Sequence, residues 1–465
     1  MWHSVYRRDR VVANKRNASH PAVLKRCANR PTSRVALSLI GALLGACLTM
    51  LTPPVAADEP RLSAFTPKLV ALEDFLYVWT SGEEGVGDGQ DKLVTIDVRP
   101  QSITFTKVIH VLAVGRGNEP ASLTFSSNRG ALWATGLASD RIFIFDILSD
   151  PSQPRLSAVI DDLPKVSGGI RAPHAMYALP GRMLVAGLGN TSDATARTGI
   201  AEFTSEGHHV TTHWVPAADD LRGAFQIGRH ADGAAFDLQG LVPLNLFLST
   251  SFDGHLAAAG NAPPGGASVT VWDLFSREPL QVFDVPGGPG PLACPQGPEQ
   301  TWCFTVAVAT GHLWLLYADD DAVWQAEDLG PVARDIVVDL SLSGDGDALW
   351  ITTGRDGRVH LYDVTNPQRP VLRYSARSPH QLGSVVQTMD GTRLYFGSAS
   401  VTAGTSAPRA PHHVTAMQWD GVRLLPRFSI DFRAAGLGLP RQMQLGSVAF
   451  SAAFNALARS VEQSQ

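Results

Sequence analysis

From residue 90 onward, apolar and polar positions alternate with period two over much of the chain, and the alternating runs come in pairs joined by short polar turns. Seven such pairs can be aligned: KLVTIDVRPQSITFTKVI (92–109), RIFIFDILSDPSQPRLSAVI (141–160), GIAEFTSEGHHVTTHWV (199–215), SVTVWDLFSREPLQVFDV (268–285), LWLLYADDDAVWQAEDL (313–329), RVHLYDVTNPQRPVLRYS (358–375) and HHVTAMQWDGVRLLPRFSI (412–430). Each predicts a β-hairpin. In four of them an Asp follows the first run (Asp97, Asp146, Asp273 and Asp363), where its carboxylate can accept a hydrogen bond from the backbone of its own turn.

A second kind of unit lies between these pairs: ASLTFSSNRGALWATGL (121–137), HAMYALPGRMLVAGLG (174–189), DLSLSGDGDALWITTG (339–354) and VVQTMDGTRLYFGSAS (385–400). Each reads as a strand, a turn containing Gly and a strand ending in small residues. Two hairpins in succession make four antiparallel strands, and repeating such units radially leaves only short, protected sheet edges. No run of ten or more residues has a helical period. The expected fold is all-β, a seven-bladed β-propeller of four-stranded antiparallel blades, with about 58 residues per copy against the ~40–45 of a WD-type repeat. Two β-sandwich domains would not account for seven copies. Trp133, Trp272, Trp350 and Trp419 fall at matching positions and are expected to pack between blades.

Residues 1–57 are read apart from the fold. Nine Lys and Arg stand against one acid, Asp9, before the uncharged run ALSLIGALLGACLTML (36–51) and the small residues of PPVAAD. This predicts a secretory signal cleaved after Ala57, leaving 58–465 as a single propeller domain in the periplasm or outside the cell. An uncleaved anchor through 36–51 and a lipoprotein-like Leu44-Gly45-Ala46-Cys47 are the alternatives, and membrane association is expected only through that segment. Without residues 1–57 the chain keeps 29 basic and 42 acidic residues, a net charge near −13. That balance argues against nucleic acid as a partner. Two cysteines remain, Cys294 and Cys303 in ACPQGPEQTWCF, and a local disulfide is expected in an oxidising compartment. A two-Cys metal site lacks a nearby His, since His312 is nine residues further on.

The repeats also carry a resemblance. YDVTNPQRPVL (362–372) resembles a stretch of the selenium-binding protein family, which includes the copper-dependent methanethiol oxidases. LVTIDVRPQSITFTKVIH (93–110), IFDILSDPSQPRL (144–156), PHAMYALPGRMLVAGLGN (173–190), SVTVWDLFSREPLQVFDV (268–285) and MDGTRLYFGSA (389–399) are similar to further family stretches in the same order. The resemblance implies a seven-bladed propeller, periplasmic in the bacterial oxidase branch, with a copper centre held by histidines in the central channel. Carried over position by position, most of those histidines are replaced. His174 matches the first His of one motif, and Tyr177 stands at the second. The paired histidines after the first blade fall near Glu119-Pro120-Ala121. Other family histidines fall at Ser268, at Gln296, at Asp356-Gly357-Arg358 and at Arg441-Gln442-Met443-Gln444. The family's selenium-associated cysteines fall in 124–130, which holds no Cys.

One His cannot make a copper site, which needs about three or four donors at one point. His230, His255, His312, His360, His380, His412 and His413 are the further candidates, with His208, His209 and His213 clustered in the third hairpin. Alternation places His412 and His413 on opposite sides of a sheet. Asp319-Asp320-Asp321 reads as a solvated turn and 81–92 as an acidic, Gly-rich loop. The Gly-rich 254–268 precedes no helix, so it is no phosphate cradle, and no G-x-S-x-G, H-E-x-x-H or P-loop pattern occurs.

The residues therefore identify no catalytic set, and His174 is the one candidate metal ligand. The leading expectation is a propeller that binds a small molecule or an envelope protein, with the metal centre largely lost and no resident cofactor. The alternative is an oxidoreductase, a copper-dependent oxidase of methanethiol or another small thiol.

Overall fold

The computed structural model describes residues 73–448, apart from 191–197, 216–245, 253–266, 296–301, 399–411 and isolated positions at 275, 287–288, 308–309, 320–322, 334, 355, 379. The predicted signal segment thus lies outside the described residues. No helix among the described residues is long and apolar enough to cross a membrane.

The first sheet contains β1 (Phe75–Ser81), β2 (Asp91–Asp97) and β3 (Val108–Gly115). The second contains β4 (Pro120–Phe125), β5 (Ala131–Gly136), β6 (Arg141–Asp146) and β7 (Arg155–Ile160). A one-turn helix, α1 (Leu163–Ser167), leads to β8 (Ile170–Leu179), β9 (Arg182–Asn190), β10 (Gly199–Thr204) and β11 (His209–Trp214). The fourth sheet shows three strands, β12 (Leu246–Phe252), β13 (Ala267–Asp273) and β14 (Pro279–Asp284). The fifth contains β15 (Pro289–Ala293), β16 (Trp302–Ala307), β17 (His312–Ala318) and β18 (Trp324–Pro331), and the sixth β19 (Val337–Leu342), β20 (Ala348–Thr353), β21 (Arg358–Asp363) and β22 (Val371–Arg377). The last comprises β23 (Val385–Gln387), β24 (Arg393–Phe396), β25 (His413–Trp419) and β26 (Leu424–Asp431), after which β27 (Leu439–Gly446) returns to pair with β1.

All the described strand pairs are antiparallel meanders, and six of the sheets are four-stranded propeller blades. This corrects the expectation of seven four-stranded blades. The sheet β12–β13–β14 has three described strands, with 216–245 before it outside the described residues. Each of the seven hairpins read from the sequence is a pair of consecutive strands, from β2–β3 to β25–β26. They are the outer half of each sheet. In four sheets the second kind of unit supplies the inner half.

The burial pattern explains why the outer hairpins were legible. β7 and β22 are mostly exposed, while the strands inside them are almost wholly buried between neighbouring sheets. Alternate residues of one strand serve opposite neighbours. Phe75, Tyr77 and Trp79 of β1 pack with Phe125, Phe143 and Phe145 of the second blade. Leu76 and Val78 of the same strand pack with Tyr395, Val414 and Met443 on the other side. Trp133, Trp272 and Trp350 are buried in such interfaces, and Trp419 meets Trp350 edge-on at 5.3 Å. Blade packing is therefore their role. The innermost strands β27, β4 and β8 touch in succession around the ring, as do β15, β19, β23 and β27.

The turn chemistry follows the sequence. Asp97 Oδ1 accepts from Arg99 N at 3.0 Å, Asp146 Oδ1 from Leu148 N at 2.9 Å, Asp273 Oδ1 from Ser276 N at 2.9 Å and Asp363 Oδ1 from Thr365 N at 3.1 Å. A second turn recurs that the sequence reading did not resolve. In SSNRGA, SGDGDA and TMDGTR the first hydroxyl donates to the Asn or Asp two residues on and accepts from the backbone N–H five residues on.

Ring closure uses the two ends of the described chain. β27 supplies the innermost strand of the first blade, outside which β1, β2 and β3 follow in order. Asp74 N donates to Gly446 O at 2.8 Å, and Ser447 Oγ donates to Asp74 Oδ2 at 2.8 Å. Arg433 Nη2 donates to both carboxylate oxygens of Glu83 at 2.7 Å. Gly87 sits at φ +56°, and a Cβ there would lie 2.2 Å from Gly436 O, so the two loops can meet only without a side chain. The disulfide between Cys294 and Cys303 is formed, as expected, beside β15 and β16 of the fifth sheet.

Glu73, 2% exposed, accepts from Met389 N at 2.7 Å and from Arg393 Nη2 at 3.2 Å, linking the start of the described chain to the last blade. Glu73→Gln leaves the Arg393 guanidinium, 17% exposed, without the carboxylate it is bonded to. Loss of one partner of a buried pair is expected to cost about 3 kcal/mol, read as a lower urea midpoint at unchanged slope.

Candidate functional site in the ring centre

Five of the innermost strands share an irregularity. On β8, Pro173 pairs with Gly187 and Ala175 with Ala186, so His174 is an extra residue bulged out of the ladder. On β4 the extra residue is Ala121, on β19 it is Val338, and on β27 it is Arg441, between Pro440 and Gln442. On β15 the break spans Gly290 and Pro291. A β-bulge re-aims a side chain and is characteristic of functional rims. These residues occupy corresponding positions on successive inner strands and so form one tier around the ring centre.

The tier rests on links between inner strands. Gln444 Nε2 of β27 donates to Leu123 O of β4 at 3.0 Å, and Gln387 Nε2 of β23 donates to Leu342 O of β19 at 2.7 Å. Asp339 Oδ2 of β19 accepts from Val385 N of β23 at 2.8 Å. The approach to the tier is also held. The Asp91 carboxylate accepts from Asn118 N at 2.8 Å, Asn118 Nδ2 at 2.9 Å and Gly82 N at 2.6 Å. Glu119, Asp140 and Ala172 are non-glycine residues in the left-handed region, at φ +55°, +55° and +53°. Such backbone costs of order 1–3 kcal/mol per residue and persists where surrounding contacts enforce it. For Ala172 the enforcing contact is its N–H to Asp140 Oδ1 at 2.5 Å. Burial raises the Asp140 carboxyl above its ordinary value, against the opposing pull of that hydrogen bond.

His174 is within the protein, and its Nδ1 is shut off from solvent with no hydrogen-bond partner. Burial holds its pKa below the ordinary value, so the ring is neutral near pH 7. Arg441 reaches across to β4. Its Nε donates to Pro120 O at 3.5 Å, and its Nη2 stands 3.9 Å from Glu119 Oε1. Burial lowers its pKa, and Glu119 opposes that. The stretches 119–121 and 441–444, where the resemblance would place histidines, are therefore neighbours across one interface.

The other histidines do not join His174. His312 lies on β17 with Nδ1 2.9 Å from the Asp328 carboxylate. His360 is buried in β21, the third strand of its blade. His209 bonds Thr212 Oγ1 at 2.9 Å, and His213 lies 3.4 Å from Glu202 Oε2, both on the outermost strand β11. His412 bonds Gly438 O at 3.2 Å, while His413 stacks on His380 at 3.8 Å, so the adjacent pair does face different surroundings. His230 and His255 lie outside the described residues, as do Gln296, Asp320 and Asp321. Among the described residues, no group of three His, Cys, Asp or Glu side chains could hold a metal ion. A single imidazole in the tier is a donor set that does not fit copper.

The fold and this tier define a β-propeller with a site built on its inner strands, and comparison with known proteins gives it a family. The model of the 56 kDa selenium-binding protein family matches residues 63–429. A methanethiol oxidase of Ruegeria pomeroyi is 40% identical over 426 residues, covering 88% of this chain and 98% of that protein. A methanethiol oxidase of a Hyphomicrobium species is 35% identical over 427 residues, covering 87% and 95%. The crystal structure of a hypothetical selenium-binding protein from Sulfolobus tokodaii superposes with a TM-score of 0.65 at 20% identity, covering 83% of this chain and 97% of that one, which bears on the fold alone. This chain belongs to the selenium-binding protein family.

Because the folded protein holds the His174 pKa down, the unfolded chain binds that proton first as pH falls. Stability is then lost as pH drops below the ordinary value of about 6.5. His174→Gln, which carries no titrating group, is expected to lose less stability than the wild type between about pH 7.5 and about pH 5.5, measured by urea denaturation at both values.

Proposed function

We infer that this chain oxidises methanethiol or another small thiol. The observation that carries this reading is the 40% identity with the Ruegeria methanethiol oxidase over nearly the whole of that protein. Support from the site is the half-buried imidazole of His174, its Nδ1 shut off from solvent, bulged from an inner strand whose approach is held in strained backbone. The described residues do not fit copper. The same reading takes β12–β14 as the seventh blade, supported by its packing between the third and fifth blades. It places the mature chain in the periplasm or outside the cell, on the strength of the basic leader and the apolar run 36–51.

A second reading is favoured by one observation. Among the described residues the tier holds one imidazole and no cluster of metal donors, and that suits a module that binds a small molecule or envelope protein without redox chemistry.

The test is to follow methanethiol and dissolved oxygen together with purified residues 58–465, with and without added Cu²⁺, and with His174→Ala beside the wild type. Concurrent loss of thiol and oxygen, reduced about tenfold or more in the variant, is the expected result, the scale of losing one hydrogen-bonding group at a site. No thiol loss under either metal condition would overturn the oxidase reading in favour of the binding module.

A further inference from the structure

The large apolar side chains left exposed among the described residues concentrate at one end of the fold. Counting strands outward from the centre, Ile103, Val323 and Val422 lie in the turn between the third and fourth strands of their sheets. Leu156, Val210 and Val371 are the first or second residue of a fourth strand, beside the same turn. Six of the seven sheets therefore carry an exposed apolar side chain there. Because the strands alternate in direction, the first-to-second and third-to-fourth turns share one end of each sheet. Val448, just past β27, is exposed at that end too. Of the rest, Val111 and Val159 lie within outer strands, and Val166 and Trp214 lie toward the other end.

Exposed apolar residues scattered singly are ordinary, whereas their concentration on one face marks a contact surface. The two most exposed, Ile103 at 100% and Val422 at 76%, stand on turns that are already ordered. On either side of Ile103, Ser102 Oγ and Thr104 Oγ1 donate to Asp97 Oδ2 at 2.6 and 2.5 Å. Val422 N and Arg423 N donate to Asp420 Oδ1 at 2.9 and 2.8 Å. Each carboxylate closes its own turn with the apolar side chain at the tip, so little ordering is left to pay on contact. These acids also have basic partners, Asp97 with Arg99 at 2.6 Å and Asp420 with Arg423 at 3.6 Å. Arg423 is well exposed beside Val422, and Lys107 is exposed near Ile103. An apolar tip beside a long basic side chain suits the edge of a bilayer, where the tip enters the apolar layer and the cation reaches phosphate oxygens.

The chain enters the described fold at this same end. Glu73 accepts from Met389 N in the turn between β23 and β24, and Arg393 Nη1 beside that turn donates at 3.4 Å to Val98 O, at the start of the turn that carries Ile103. The apolar run 36–51 precedes Glu73 in the sequence, so its insertion in a bilayer tethers the fold by this end. We propose that this end of the propeller docks on a lipid bilayer, with Ile103 and Val422 entering the boundary between headgroups and acyl chains. The folded domain has a membrane contact of its own, beyond any made by 36–51. The Asp91–Asn118 and Asp140–Ala172 contacts that hold the approach to the tier lie at the opposite end, which this orientation leaves open to water. The proposal does not rest on the oxidase reading.

Pro54–Gln465 form a compact unit, so the test uses residues 58–465, which lack the apolar run. They are sedimented with vesicles of phosphatidylethanolamine and phosphatidylcholine. Wild type is expected to bind, and the double variant Ile103→Ser with Val422→Ser to bind about tenfold more weakly or worse, the scale of one buried aliphatic side chain. Its urea midpoint is expected to match the wild type, which shows that the fold is kept. Val166→Ser with Trp214→Ser, at the other end, is expected to bind as the wild type does. No binding by the wild type, equal binding by the Ile103/Val422 variant, or an equal loss in the Val166/Trp214 variant would overturn the proposal. Self-association of the wild type without vesicle binding, abolished in the Ile103/Val422 variant and read by sedimentation velocity, would also overturn it and give the surface to a second copy of this chain.

Discussion

The pairing of β27 with β1 is the contact on which the ring depends. A propeller has no single core. Its apolar surface lies between neighbouring blades, and each blade is covered only when both neighbours are present. In this chain the last described strand becomes the innermost strand of the first blade, joining segments more than 350 residues apart. Met443 and Leu445 of β27 enter the cluster shared by the first and last blades. The closing loops meet at Gly87 and Gly436, where any side chain would force them apart. Loop-closure entropy grows only slowly with length, so so distant a contact is affordable once many interfaces form together.

The same strand pairing sets up the candidate site. Arg441 lies on β27 because that strand is drafted into the first blade, and its bulge brings it against Glu119 and Pro120 of the second. His174 reaches the same tier by the bulge on β8. Neither position is near the other in sequence. A functional group there is assembled from several blades, and a replacement on one blade changes the chemistry of the whole tier.

Family membership and the described donor set point in different directions. The relatives' identities are high and nearly full-length, yet among the described residues a single imidazole reaches the tier. Both can hold because packing and tier rest on different residues. The buried aromatic and aliphatic positions form the interfaces between blades, whereas the tier is a handful of side chains that can change without disturbing those interfaces.

Much of the architecture was legible in the order of the residues. The hairpins at 92–109 through 412–430 announce themselves because their outer strands have one wet face, so apolar alternation survives, and because Asp97, Asp146, Asp273 and Asp363 close their own turns through local hydrogen bonds. The local disulfide Cys294–Cys303 was legible for the same reason, since its partners are nine residues apart. His174 was legible as a position, through the resemblance of its motif. What the tertiary structure alone decided is non-local. β1 is buried on both faces and shows no alternation, the partner of β27 lies at the other end of the chain, and the bulges at Ala121, His174, Val338 and Arg441 appear only as breaks in register between strands. A sequence records which residues are apolar and which turn. Which side chains share the centre of a ring depends on closing it.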